Sequence, residues 1–170
     1  MTDKRSELID ECARQYDNCL YTSTALFIWL RWLRIFRAVF VILPILLGAV
    51  GTWKVLTKSN NPKFEIAAAV CGLIAGVIPA VYSSLKFAEH LTLCSKLAAD
   101  FKNLQDRFRQ AALFNSDTDL PKFEEQFEKL MKKMESARSH SYTAPEWCFH
   151  CAQEKIKKGH YKFDVDEAAS

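Results

Sequence analysis

Apolar residues recur along this chain in two distinct patterns. From Leu8 to Leu30, and again from Phe87 to Ala137, they return every three or four residues with polar residues between them. From Ala38 to Leu85 they fill two long runs that contain no charge at all, separated by a short polar connector. The first pattern predicts amphipathic helices with one buried stripe, and the second predicts helices that are apolar on every face. Near the N-terminus the stripe is Leu8, Cys12, Tyr16, Cys19, Ser23, Leu26 and Leu30, with Ser6 placed to cap the helix. No Gly or Pro follows before Pro44, so this helix is expected to run straight into the first apolar segment.

That segment reads AVFVILPILLGAVGTW between Arg37 and Lys54, and Trp32, Leu33, Ile35 and Phe36 extend it upstream. The second, Ile66–Leu85, is uncharged throughout. About 20 apolar residues at 1.5 Å each match a hydrocarbon core of about 30 Å, so both segments read as transmembrane helices. Trp29 and Trp32 stand at one end of the first span and Trp53 at the other, as interfacial aromatics do. Arg31, Arg34, Arg37 and Lys86 complete the predicted membrane interface, their long side chains snorkelling to the headgroups. A buried hairpin in a soluble bundle is the alternative, but so short a chain has little material to cover two fully apolar helices. A signal peptide fits poorly, because the apolar run begins far from residue 1. The connector TWKVLTKSNN, followed by Pro62, is short enough to join antiparallel neighbours. Both termini then lie on one side of the membrane. Arg31, Arg34, Arg37, Lys86 and Lys96 against Lys54, Lys58, Lys63 and Glu65 place that side in the cytoplasm.

After the second span, Phe87, His90, Cys94, Leu97, Phe101, Leu104, Phe108 and Ala111 alternate steps of three and four, which is a heptad seam. With no breaker between span and seam, one helix of about 75 Å is predicted from Glu65 to Phe114. NSDTD (115–119) reads as a turn, and Pro121 suits the start of a new helix. Phe123, Phe127, Leu130, Met134 and Ala137 form its seam, which can fold back antiparallel onto the preceding one. Ser139–Pro145 breaks that helix, and Trp147–Lys158 forms a last one stopped by Gly159. The expected fold is thus an all-α membrane protein: a two-helix transmembrane hairpin extended into a cytoplasmic, coiled-coil-like helical bundle. Its segments are an amphipathic helix (1–34), first span (35–56), connector (57–64), second span (65–86), bundle (87–163) and polar tail (164–170).

Composition narrows the chemistry. A net charge of +3 with no basic stripe argues against nucleic acid as a partner. Six scattered cysteines, one of them (Cys71) inside a span, do not form a secreted disulfide framework. Cys148 and Cys151 in WCFHC, with His140, His150 and His160 nearby, are weak zinc candidates. Three-apart residues of a helix share a face in any case, so apolar packing is the simpler reading and no metal or cofactor is expected. No phosphate loop, nucleophile elbow or HExxH is present, and an enzyme is not expected. Arg31, Arg34 and Arg37 have the spacing of a voltage sensor, but the second span offers no acidic counter-charge. Ala68, Gly72, Gly76 and Ala80 set a small-residue face on the second span, with Pro79 and Ser83 beside it; Gly48 and Gly51 do the same on the first. Such faces let helices approach closely. Packing within the hairpin and packing between copies, or lining a pore, are both open at this point.

The order of elements resembles the SLATT family, the SMODS- and SLOG-associating two-transmembrane effector domains of bacteria. The local cues are Ala88, Glu89 and His90 after the second span, TAPEW at Thr143–Trp147, then Ala152 and IKKGHY at Ile156–Tyr161. The resemblance covers about Leu8 to Tyr161 and is carried more by architecture than by any one motif. It implies a homo-oligomeric pore or ion channel in the bacterial inner membrane, acting in antiviral defence by killing or arresting the infected cell. It implies no catalytic residue. The trigger would come from a separate sensor protein or a nucleotide signal. A non-conducting anchor that presents its helical stalk to a partner is the competing expectation.

The purified polypeptide is expected to need detergent: in plain buffer, size-exclusion chromatography should show aggregates rather than a monodisperse species.

Overall fold

A computed structural model describes residues 2–57, 62–114, 119–139 and 142–160. Among them the chain folds into helices α1 (Thr2–Thr57), α2 (Pro62–Ser84), α3 (Phe87–Phe114), α4 (Leu120–Arg138) and α5 (Glu146–Lys157). The tail from 164, most of the NSDTD turn, the middle of the connector and His140 lie outside the described residues. Two compact units are present, Met1–Leu30 with Leu93–Ser170, and Arg31–Thr92.

The first unit is a bundle of α1, α3 and α4, with α5 packed on α1. Its core is the seam residues Cys94, Leu97, Phe101, Leu104, Phe108 and Ala111 of α3, with Phe123, Leu130, Met134 and Ala137 of α4. Phe127 is half-buried, its ring edge-on to Phe108 at a centroid distance of 6.3 Å. Contacts set the directions. Lys4 Nζ of α1 reaches Glu124 Oε1 at the start of α4 (2.6 Å), and Cys19 Sγ lies 3.9 Å from Met134 Sδ near its end. The α1 and α4 segments are therefore parallel. Cys94 Sγ meets the Leu26 carbonyl (3.8 Å), so α3 runs against both. Ala98 and Gln105 are buried beside the α3 seam, which widens the stripe from the two positions per heptad of a coiled coil to three. Two neighbours around α3, α1 and α4, rather than one, account for the extra width.

Two differences in α1 stand out. The helix starts at Thr2, so Ser6 is an interior residue and not a cap. The stretch after Asp3 is rich in good helix formers, and Glu7 suits the positive end of the helix dipole. Gln15 is buried where Tyr16 was expected, and Tyr16 is half-buried. The Gln15 amide donates to Glu11 Oε1 (2.6 Å) and accepts from Asn18 Nδ2 (3.3 Å), so its polar head enters without losing hydrogen bonds.

Gly159 ends α5 as predicted, at φ 79°. The Gly159 N–H donates to the Ile156 carbonyl (3.0 Å) and the His160 N–H to that of Lys155 (3.3 Å), which is the paired bond of a Schellman cap.

The single helix expected from Glu65 to Phe114 is interrupted. Leu85 and Lys86 form a turn between α2 and α3, and Lys86 has a left-handed backbone (φ 47°). The Lys86 N–H donates to the Ser83 carbonyl (3.3 Å), closing α2. The Lys86 carbonyl in turn accepts from the N–H groups of Glu89 (2.9 Å) and His90 (3.3 Å), opening α3. One residue thus stops one helix and starts the next. A β-carbon in this conformation costs about 1 kcal/mol, and the capping bonds offset it. The break takes His90 out of the seam to an exposed position and leaves Phe87 half-buried.

Phe108 is fully buried in the bundle. Phe108→Ala is expected to cost about 3–5 kcal/mol, while Leu113→Ala, at an exposed position of the same helix, should stay within about 0.5 kcal/mol. Urea unfolding of the detergent-purified protein, followed by helical circular dichroism, measures both.

Candidate functional site

The Arg31–Thr92 unit holds the unusual chemistry. α1 and α2 are each long enough and apolar enough to cross a membrane. Almost none of that apolar surface is covered: 6% of the best window in α1 is buried, and 0% of that in α2. Among the described residues, 17 of the 21 exposed large hydrophobic side chains belong to this unit. The core helix of a soluble protein would show the opposite.

Inside the unit the two helices meet along a narrow line. Phe40, Pro44, Leu47 and Gly48 of α1 are half-buried, as are Ala68, Cys71, Ala75, Ile78 and Tyr82 of α2. These α2 positions step by three and four, marking one face. At one end Phe40, Tyr82 and Phe87 form an aromatic cluster, with centroids 6.0 Å (Phe40–Tyr82), 6.4 Å (Phe40–Phe87) and 5.6 Å (Tyr82–Phe87) apart. Of the predicted small-residue face, Ala68 belongs to this line. Gly72, Gly76, Pro79, Ala80 and Ser83 do not; all five are exposed. A β-carbon built at Gly48, Gly72 or Gly76 would meet nothing within 4 Å. Close packing within the hairpin therefore does not explain these glycines. Pro79 sits within α2 without ending it. Gly51 and Trp53 are part of α1, but their surroundings lie outside the described residues.

The predicted interface residues divide. Arg31, Trp32, Arg34, Arg37 and Lys86 are all exposed. Trp29 is not one of them: it belongs to the bundle unit, where its indole N–H donates to the Tyr142 hydroxyl (2.6 Å) and its ring stands edge-on to Trp147 at 6.1 Å. It packs with Ile28 and Ala144 against Ala25, Cys148 and Ala152, so it fastens α5 to α1. Tyr142 is the residue that sequence reasoning missed; only the fold brings it 113 positions back to Trp29.

Cys148 and Cys151 part company as well. Cys148 is fully buried in that cluster and Cys151 is exposed. His150 Nε2 lies 3.8 Å from Glu146 Oε1 on the outside of the helix. Among the described residues no group of three or more His, Cys, Asp or Glu side chains is arranged to hold a metal ion. The bundle surface has an open groove of about 660 Å³ between α3 and α4, where Lys96, Arg107 and Lys133 face Asp100 and Asp106. Its charges are of both signs.

Burial pushes the thiols of Cys12, Cys19, Cys94 and Cys148 up to about 11, because a thiolate loses its hydration there. At pH 8 a maleimide should modify Cys151 in the native protein within minutes and spare these four until urea is added, as counted by mass spectrometry. The folded state holds these protons longer than the unfolded one, so their contribution to stability is complete below pH 9 and is lost as pH rises to 11. The urea midpoint should fall across that interval.

Comparison with protein-family models, with curated proteins and with solved structures finds no match.

Proposed function

We propose that this chain is a two-pass membrane protein whose α1–α2 hairpin lies in lipid and whose copies associate through the open Gly72–Gly76–Ala80 face, forming a pore-type effector in a bacterial membrane. One observation carries the proposal: an apolar, nearly uncovered hairpin in a chain whose other unit is well packed. Lipid is the solvent in which such helices are stable, since their backbone groups are satisfied internally and their side chains prefer hydrocarbon. Without a hydrophobic drive between helices in lipid, association depends on close approach, and glycines with open space in front of them allow it. The SLATT resemblance is the source of the effector role, of the external trigger and of a cytoplasmic position for both termini.

A second reading has its own support. Thr52 Oγ1 donates to the Gly48 carbonyl (2.9 Å) and Ser84 Oγ to that of Ala80 (2.9 Å). These hydroxyls are turned back onto their own helices, and no charge lies within either apolar run, so little polar surface is available to line a water-filled path. A non-conducting anchor that presents the helical bundle to a partner accounts for this equally.

The two separate on one experiment. Expressed in bacteria, a pore-type effector depolarises the membrane when triggered or overproduced, as read by a potential-sensitive dye. Gly72→Leu and Gly76→Leu should abolish the signal while the protein still fractionates with membranes. An anchor gives no depolarisation and tolerates both substitutions. A wild-type protein that reaches the membrane in quantity and leaves the potential unchanged sinks the pore.

A further inference from the structure

The positive charge of this chain is concentrated where the proposed membrane unit begins. Between Asp17 and Glu65 there is no acidic residue, and the Arg31–Thr92 unit carries seven Lys or Arg against Glu65 and Glu89 alone. The remainder of the chain holds 16 basic and 18 acidic residues. The helical bundle is thus mildly acidic, and the hairpin alone is strongly basic.

Three of these charges form an arc. Arg31, Arg34 and Arg37 advance by 300° every three residues, so they cover about 120° of the α1 surface and a height of about 9 Å. All three are exposed, and among the described residues none forms an ion pair. The adjoining arc of the same turns is Ile35, Trp32 and Phe36, also exposed, with the two rings 6.1 Å apart. Contacts of Phe40 with Tyr82 and Phe87 place Lys86 at this same end of the hairpin, where it pairs with exposed Glu89 at 3.7 Å.

We infer that this end of the hairpin is a binding surface for anionic phospholipid headgroups, with Arg31, Arg34 and Arg37 as the phosphate-binding residues. The inference rests on the membrane reading above and adds the lipid class to it. Charge and shape both favour it. Guanidinium groups have hydrogen-bond donors in a fork that fits phosphate oxygens, and among the described residues no carboxylate pairs with them. The height of the arc is close to that of the headgroup layer beside a hydrocarbon core of about 30 Å. Alternation of arginines with an exposed aliphatic and aromatic strip at one level suits a boundary where phosphate and acyl chain meet. An acidic protein face would satisfy the charge and leave Trp32, Ile35 and Phe36 in water. A zwitterionic headgroup brings its own cation, which weakens the attraction, so lipids with net negative charge are preferred.

The test uses the full chain in mild detergent, equilibrated with equal amounts of phosphatidylglycerol and phosphatidylcholine of matched acyl chains. Retained lipid is quantified by mass spectrometry. Phosphatidylglycerol should be enriched about fivefold or more, the effect of one guanidinium near an anionic surface. R31Q/R34Q/R37Q should bring the ratio to about one, and R31K/R34K/R37K should keep most of the preference. Circular dichroism checks folding. Should the glutamine variant not fold, the wild-type ratio in 1 M salt, where the screening length is about 3 Å, must fall in the same way. Equal retention of both lipids, or enrichment untouched by the glutamine variant or by salt, overturns the inference and leaves the membrane reading standing. Retention of neither lipid by a protein that stays soluble without detergent overturns both. Displacement of the bound lipid by millimolar glycerol phosphate also overturns it, since the site would then recognise free phosphate.

Discussion

A helix satisfies its own backbone, so its side chains alone decide which solvent it can live in. Between Arg31 and Leu85, among the described residues, the hairpin covers Leu33 and a narrow line of half-buried residues, from Phe40 to Gly48 and from Ala68 to Tyr82, and leaves most of the remaining apolar side chains exposed. At about 25 cal/mol for each Å² of apolar surface removed from water, the seventeen large side chains exposed in this unit among the described residues are costly to leave in water. Whatever covers that surface is part of the protein's stable state. The proposed membrane position of the hairpin rests on this exposed apolar surface.

The bundle unit answers the same physics in the ordinary way. Its three helices bury Phe101, Phe108, Phe123 and Met134 and turn Lys, Glu and Arg outward. Cysteine is used there as a small hydrophobe: Cys12, Cys19, Cys94 and Cys148 fill interior positions where close helix approach leaves little room. Polar groups inside it are satisfied locally, Gln15 by Glu11 and Gln105 through Lys102 Nζ at 3.0 Å. α5 is held by a different device, an aromatic and hydrogen-bonded clasp of Trp29, Tyr142 and Trp147. A chain with so economical a core has no evident reason to leave a second set of helices bare, unless those helices are meant for a different environment.

Charge sorts along the same division. The acidic side chains are spread over the bundle, and the hairpin ends carry Lys and Arg with almost no carboxylate beside them. Electrostatics of this kind sets which surface a helix prefers to approach and says little about fold. In the proposed membrane setting Arg31, Arg34 and Arg37 would bear on partner choice, whereas Gly72 and Gly76 would bear on how closely copies could pack. These are separable properties, and substitutions at the two sets of positions should not affect each other.

The hydrophobic pattern by itself determined the helical class, the two apolar runs, the heptad seam from Cys94 to Ala111, the returning helix and the glycine stop at Gly159. These follow from local periodicity and from a backbone conformation that only glycine adopts freely, both of which are written residue by residue. Tertiary structure decided what depends on a neighbour. Lys86 carries no mark of a breaker, and its left-handed turn appears only where α2 closes and α3 opens on its own N–H and carbonyl. Spacing could not say whether Ala68, Cys71 and Ala75 or Gly72, Gly76 and Ala80 would face α1, because both sets are small and lie at helical intervals. Nor could it separate Cys148 from Cys151, or assign Trp29 to the bundle, since each depends on which helix comes to lie against that side chain. Sequence periodicity specifies a face; only the partner chosen in three dimensions specifies what that face touches.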